Sequence, residues 1–226
     1  SIQGLFEHLG IPYVGTGIGG SAWGMDKARQ RPWLKAHDFA VPKYTILPRR
    51  FLWEAPHEIA RRLSEEVGFP CVLKHPLQGS TIGVALCQNP HQVLSAFSEC
   101  GFTWPVQKLT QVPISELMDL QGGLSLPILY RDREGIPREI IHTYADLLGF
   151  LRRQPAHGWV EAWDAPESLL AEEFVEGEEF SVILLETPQG ELVALPPTHI
   201  RKESPLYDYR AKYLSGISSK LTPSPY

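Results

Sequence analysis

The sequence predicts an α+β protein, with antiparallel sheets and helices packed on them. Three observations carry this. "FPCVLKH" and "TIGVALCQ" are two apolar runs joined by a glycine-containing turn, the pattern of a hairpin. "LLAEEFV", "EEFSVILLE" and "ELVALPPTHI" follow one another through turns too short for a crossover helix, so they read as three antiparallel strands. Helical periodicity is confined to separate segments between such runs. In "IQGLFEHLG", for example, Ile2, Leu5, Phe6 and Leu9 share one face.

In chain order, Gly10 stops that first helix and "IPYVG" reads as a short strand. "GSAWGMDKARQRPWLKAHDF" reads as a helix capped by Ser21. "VPKYTIL" is extended, and "APHEIARRLSEEVG" is a helix ending at Gly68. The hairpin around Gly79 comes next, and "NPHQVLSAFSEC" opens on an Asn cap and is helical. From about residue 101 to 168 the pattern weakens, with "SLPILYRD" as a strand and "HTYADLLGFLRRQ" as a helix. After the three strands, "ESPLYDYRAKYLSGISSKLTPS" is polar, aromatic and irregular, the composition of a long functional loop. There is no internal repeat and no low-complexity segment.

The chain has 226 residues, enough for one large domain or two small ones with a sizeable core. Hydrophobic residues make up 43% and charged residues 21%, ordinary for a soluble globular protein. The net charge of -5 and the lack of a basic stripe argue against a nucleic-acid partner. The apolar stretches are far shorter than the roughly 20 residues of a membrane span. "SIQGLFEHLG" has neither the basic flank nor the long apolar run of a signal peptide. Cys71, Cys87 and Cys100 lack metal-ligand spacing and read as reduced thiols of a cytoplasmic protein. The eight scattered histidines form no HExxH pattern, so no protein-ligated zinc is expected. The chain opens without methionine and stops at "LTPSPY" soon after a run of strands, so it reads as a middle piece of a longer protein.

Four segments can carry chemistry, and each also has a plain structural reading. In "KHPLQGSTIGV", backbone N–H groups of a glycine turn can point together at an anion. Gly79 permits close approach, Ser80 and Thr81 can donate, and Lys74 adds a point charge. An ordinary hairpin turn would look the same. The P-loop pattern does not fit, because the lysine precedes the glycine and no helix follows at once. In "LLAEEFVEGEEFSV" an acidic cluster turns at Gly177, and Glu172 and Glu179 stand at either end of it. Carboxylates there can accept from an exocyclic amine and from ribose hydroxyls, or they form a solvated acidic turn. Lys27 sits beside Asp26 near a helix start and taken alone is a surface lysine. "YDYRAKYLSG" carries three tyrosines and a lysine, an aromatic content that suits a lid over a site.

Together and in this order, the four segments resemble the ATP-grasp superfamily, and within it the D-alanine–D-alanine ligases. "QGLFEHLGIPYVGTGIGGSAWGMDK" is similar to the end of that family's N-terminal domain entering its central domain. "GFPCVLKHPLQGSTIGV" and "EEFVEGEEFSV" match its nucleotide segments, and "ALPPTHI" with "YDYRAKYLSG" resembles its mobile omega loop. The resemblance covers residues 1–100 and 169–226, and the segment between reads as an insertion. It implies an ATP-grasp fold, incomplete at both ends: residues 1–20 close the N-terminal domain, 21–178 form the small lobe with its insertion, and 179–226 open the large lobe.

The resemblance also implies roles. Lys27 and Lys74 would contact the ATP phosphates, and Gly79, Ser80 and Thr81 would form the phosphate loop. Ser80 would also fix the lid through Tyr213, which enters with Lys212; these three are the implied catalytic residues. Glu172 would accept from the adenine amine, the backbone of Glu173 and Val175 would read the adenine edge, Phe174 would pack by the base and Glu179 would hold the ribose. The implied activity is ATP-dependent joining of a carboxylate and an amine through an acyl phosphate, giving a D-alanyl-D-alanine-type dipeptide for peptidoglycan precursors. ATP and a D-amino acid would be substrates, and the full-length protein would be a cytoplasmic homodimer. A ligase for another carboxylate and amine, or a nucleotide-binding module without turnover, remain alternatives. The family's Mg²⁺ ligands and oxyanion arginine lie downstream of Tyr226, and its first-substrate glutamate lies upstream of Ser1. No residue here is therefore assigned to metal, and the chain alone is expected not to turn over. Four positions depart from the family's pattern: His75 replaces a proline, Gln78 a glutamate, Thr81 a serine and Arg210 a glutamate. Gln78 and Arg210 fall near the lid contacts, where substrate identity is decided.

Overall fold

A computed structural model of the chain describes residues 2–111, 125–153, 157–202 and 218–225. They fall into two compact units, Ser1–Phe174 and Val175–Tyr226. The architecture is α+β with antiparallel sheets, as the hairpin patterns predict.

The first unit opens with helices α1 (Ile2–Leu9), α2 (Ile18–Met25) and α3 (Lys27–Ala36). "IPYVG" is not a strand. The chain folds back at Gly10 (φ 66°), and Ile11 N donates to Phe6 O at 2.8 Å, so these residues close α1 instead of joining a sheet. Nor does Ser21 cap a helix. It lies inside α2, and its hydroxyl donates to Thr16 O at 3.0 Å. The long helix expected here breaks at Asp26, which has extended backbone and accepts from Arg29 N at 3.1 Å. This cap, worth about 1 kcal/mol, starts α3 at Lys27.

The first sheet has the order β1-β8-β2-β3, all antiparallel, from β1 (Tyr44–Pro48), β2 (Cys71–Lys74), β3 (Val84–Cys87) and β8 (Ser168–Glu173). Between β1 and β2 run α4 (Phe51–Glu54) and α5 (Pro56–Arg62). The latter continues through a π-turn to Val67 and stops at Gly68, whose φ of 92° suits glycine. Asn89 caps a short 3₁₀ turn, accepting from His91 N at 3.1 Å, and α6 (Val93–Cys100) follows. Leu47, Ile59, Leu63, Leu73, Phe97 and Leu169 are fully buried in this core. Each such side chain contributes about 1.5–3 kcal/mol by leaving water.

A second sheet, order β4-β7-β5-β6, is built from β4 (Thr103–Pro105), β5 (Ile128–Arg131), β6 (Pro137–Ile141) and β7 (Trp159–Glu161). The short α7 (Val106–Leu109) follows β4, and α8 (Tyr144–Arg152) starts at Thr143, whose side chain accepts from Asp146 N. β4 and β7 have three residues each, too few to show a period, which is why the sequence pattern is weak here. The core of this layer holds Phe102, Trp104, Ile128, Leu147, Phe150 and Val160.

A buried ion cluster ties the two layers together. Arg49, just after β1, donates from Nη2 to Glu161 Oε1 at 3.0 Å, and Arg131 Nε donates to Glu161 Oε2 at 2.6 Å. Arg49 also reaches Pro166 O and Thr103 Oγ1. Both guanidinium carbons stand 5.7 Å from the Trp53 ring centroid. Burial alone would raise the Glu161 carboxyl, but the two arginines outweigh it and hold it below the usual range.

The three expected strands from residue 169 onward do not form one sheet. The first is β8, which lies between β1 and β2. The others divide into β9 (Glu179–Ser181), β10 (Leu184–Glu186), β11 (Leu192–Ala194) and β12 (Thr198–Lys202), all in the second unit. β10 and β11 form a hairpin around Gly190, while β9 and β12 share a sheet with β13 (Ser218–Leu221). The end of the segment expected to be an irregular loop is therefore a strand, paired Arg201 to Ser219. Turn length alone could not reveal these partners, because pairing is decided by distant segments.

Candidate functional site

The β2–β3 hairpin places a nine-residue loop, residues 75–83, directly after Lys74. Ser80 (φ 52°) and Thr81 (φ 65°) adopt left-handed backbone, and Ile82 N donates to Gly79 O at 3.0 Å. A side chain added at Gly79 would meet nothing within 4 Å, so the loop has an open side there. Lys27, first residue of α3, lies against the loop: its backbone N donates to Pro76 O at 3.1 Å, and its ammonium reaches Pro76 O at 3.3 Å and Gln78 O. The Asp26 cap, which sequence reading missed, is what starts α3 at this position.

Glu172 is the buried centre beside this loop, at 1% exposure. It stands on β8 opposite Val72 of β2. Lys74 donates to its Oε2, and Arg31 donates to both of its oxygens. Burial would push its carboxyl up, but the Arg31 hydrogen bond and the charge of Lys74 hold it below the usual range. Two cations share one carboxylate, so this cluster keeps a net positive charge suited to an anion. Arg31 was not singled out in the sequence. The available signal was its spacing of four from Lys27, which puts both on one face of α3.

The remaining sequence-predicted residues divide as follows. Glu173 ends β8; its N–H donates to Lys43 O and its carboxylate accepts from Lys43 N, both at 2.9 Å. Phe174 N donates to Pro70 O at 3.1 Å. Val175, 64% exposed, and Glu179, at the start of β9, belong to the second unit. Lys212, Tyr213 and Arg210 lie outside the described residues. Among the described residues, no group of three or more His, Cys, Asp or Glu side chains could hold a metal ion, and no helix is long and apolar enough to cross a membrane.

His75 extends the site inward. It is 1% exposed, its ring lies 4.7 Å from that of Phe102, its Nδ1 accepts from Leu77 N and its Nε2 bonds Asp164 O, both at 3.1 Å. Burial lowers its pKa below the ordinary 6.5, against the Asp164 contacts that raise it and with the help of the Lys27 charge. The unfolded chain therefore takes up the proton first. The neutral ring contributes stability that is full above about pH 6.5 and is lost as pH falls below it. Melts from about pH 8 to about pH 5 should show a steeper fall in Tm for the native chain than for His75→Gln. Parallel curves would assign that acid limb to other groups.

The matching family model is the D-ala D-ala ligase C-terminus, over residues 33–104, which contain β1, β2, the loop and Lys74. D-alanine–D-alanine ligase of Pelotomaculum thermopropionicum is 27% identical over 224 residues, spanning 99% of this chain and 50% of the relative. The chain is thus similar to D-alanine–D-alanine ligases along nearly its whole length. The enzyme of the same name from Bacillus cytotoxicus is 36% identical over 100 residues, which is 44% of this chain and 27% of that one. Among solved structures, the VanG D-Ala:D-Ser ligase of Enterococcus faecalis aligns with a TM-score of 0.59 at 18% identity, covering 100% of this chain and 46% of its own. D-alanyl-alanine synthetase A of Vibrio cholerae gives 0.55 at 20%, over 97% and 47%. The fold is thus ATP-grasp. The chain spans about half the length of the curated relatives it matches.

Proposed function

We propose that this chain supplies the phosphate-binding part of an ATP-dependent carboxylate–amine ligase that makes a D-alanyl-D-alanine-type dipeptide for peptidoglycan precursors. The observation that carries the reading is that two lysines meet one glycine–hydroxyl loop: Lys27 is held against it at Pro76 O and Gln78 O, and Lys74, at its mouth, pairs with the buried Glu172. A carboxylate attacking the γ-phosphate of ATP forms an acyl phosphate and releases ADP. An amine then attacks the acyl carbon and expels phosphate. The first step brings anion to anion, so cations and loop N–H groups must cancel the repulsion. Lys27 and Lys74 are assigned to the phosphates, with Ser80 and Thr81 as hydroxyl donors.

Glu172, Glu173, Phe174 and Val175 are assigned to the adenine and Glu179 to the ribose. Glu172 can play its part only while Lys74 and Arg31 keep it ionised. Lys212 and Tyr213, with Ser80, are assigned to closing the site against water, which would otherwise hydrolyse the acyl phosphate. Magnesium is expected to accompany ATP, and the described residues offer no cluster of His, Cys, Asp or Glu to hold it. Residues 1–20 are assigned to the end of an N-terminal domain, 21–178 to the small lobe and 179–226 to the start of the large lobe. The complete protein is expected to be a cytoplasmic homodimer.

Calorimetric titration with a non-hydrolysable ATP analogue tests the reading. The native chain should bind it, and Glu179→Ala should bind adenosine nucleotides about 5- to 10-fold more weakly with an unchanged Tm. A lower Tm at unchanged affinity would make Glu179 part of a structural acidic turn.

A further inference from the structure

The loop between β2 and β3 is held by more than its own hairpin. Asp164, in the connection that follows β7, touches it twice. Its Oδ2 accepts from Gln78 Nε2 at 3.0 Å, and its carbonyl bonds His75 Nε2 at 3.1 Å. Its other carboxylate oxygen accepts from Ser125 Oγ. Around these bonds the loop packs into the second layer. Ile82 lies against that layer's core, and a side chain at Gly83 would meet His75 Cβ at 2.7 Å and Phe102 at 3.3 Å.

We propose that Asp164 is a positioning residue that sets the phosphate loop for the triphosphate, so that the layer of β4 to β7, whose outgoing connection carries Asp164, tunes nucleotide binding. This rests on the reading that the loop binds ATP. Left-handed backbone at Ser80 (φ 52°) and Thr81 (φ 65°) is strained for residues with a side chain and persists only where the surroundings enforce it. Gln78 links the two sides: its side chain donates to Asp164 while its carbonyl accepts from the Lys27 ammonium. Fixing Gln78 therefore fixes the loop relative to a cation assigned to the phosphates. A glutamate at 78 would set two carboxylates about 3 Å apart, a repulsive arrangement. An amide there donates instead.

The test is a swap of donor and acceptor, read by calorimetry with an ATP analogue and separately with adenosine. Asp164→Ala and Gln78→Glu should each weaken triphosphate binding by roughly tenfold and leave adenosine binding unchanged. In the double variant Gln78→Glu/Asp164→Asn the hydrogen bond is rebuilt in reverse, and the asparagine can still accept from Ser125. It should return to within about twofold of native affinity. A merely structural role would move Tm and both ligands together, with no rescue. If the native chain binds the analogue and the single variants bind it equally well, the role of Asp164 falls and the ATP reading stands. If the native chain binds no nucleotide, both fall.

Discussion

Glu161→Ala is expected to cost about 3–5 kcal/mol of stability, enough to unfold much of the first unit at ambient temperature. The physical reason is asymmetry. Arg49 and Arg131 converge on this one carboxylate, and Arg49 is 5% exposed. Removing the carboxylate leaves a buried guanidinium with neutral partners only, at Pro166 O and Thr103 Oγ1. Glu161→Gln keeps hydrogen-bond acceptance and shape but loses the charge, so it should cost less. Urea unfolding followed by tryptophan fluorescence measures both, since Trp53 lies against the two arginines. A loss below about 1 kcal/mol for Glu161→Ala would mean that water reaches the cluster and that the layers are joined by apolar packing alone.

Lys74→Ala should weaken binding of an ATP analogue by about 1.5–3 kcal/mol, or roughly 10- to 150-fold. The lysine acts twice. It offers a charge at the mouth of the loop, and it pairs with the buried Glu172. Its loss leaves Glu172 with Arg31 alone, so part of the effect comes from a carboxylate whose charge is less well balanced. Lys74→Arg keeps the charge in a different geometry and separates these contributions: restored stability with weak binding would assign the point charge to the phosphates. Unchanged affinity in Lys74→Ala, with folding intact by circular dichroism, would remove Lys74 from the site.

Much of this arrangement is legible along the chain because it is local. The hairpin around Gly79 follows from two apolar runs and a glycine turn, and β2 and β3 pair as expected, Lys74 opposite Val84. Lys74 at a strand end, the hydroxyls after Gly79 and the helix with Lys27 are likewise local facts. The Ser21 and Asp26 cap choice was the exception: both residue types cap helices, and only the path of the backbone decides which one does.

The α+β class, most helices and the loop with its lysine depend on residues within one or two turns of each other, so they can be read along the chain. Tertiary structure alone decided the partners. β8 could have continued into a sheet with β9, yet it inserts between β1 and β2, because its Leu169, Leu170 and Ala171 are fully buried there. That insertion carries Glu172 to Lys74, 98 residues away, and to Arg31, 141 residues away. The short strands β4 and β7 likewise bring Asp164 to Gln78, 86 residues apart. A hydrogen bond or ion pair between distant residues leaves no period and no spacing in the chain. It exists only once burial of the apolar strands has set the register that brings the polar ends together.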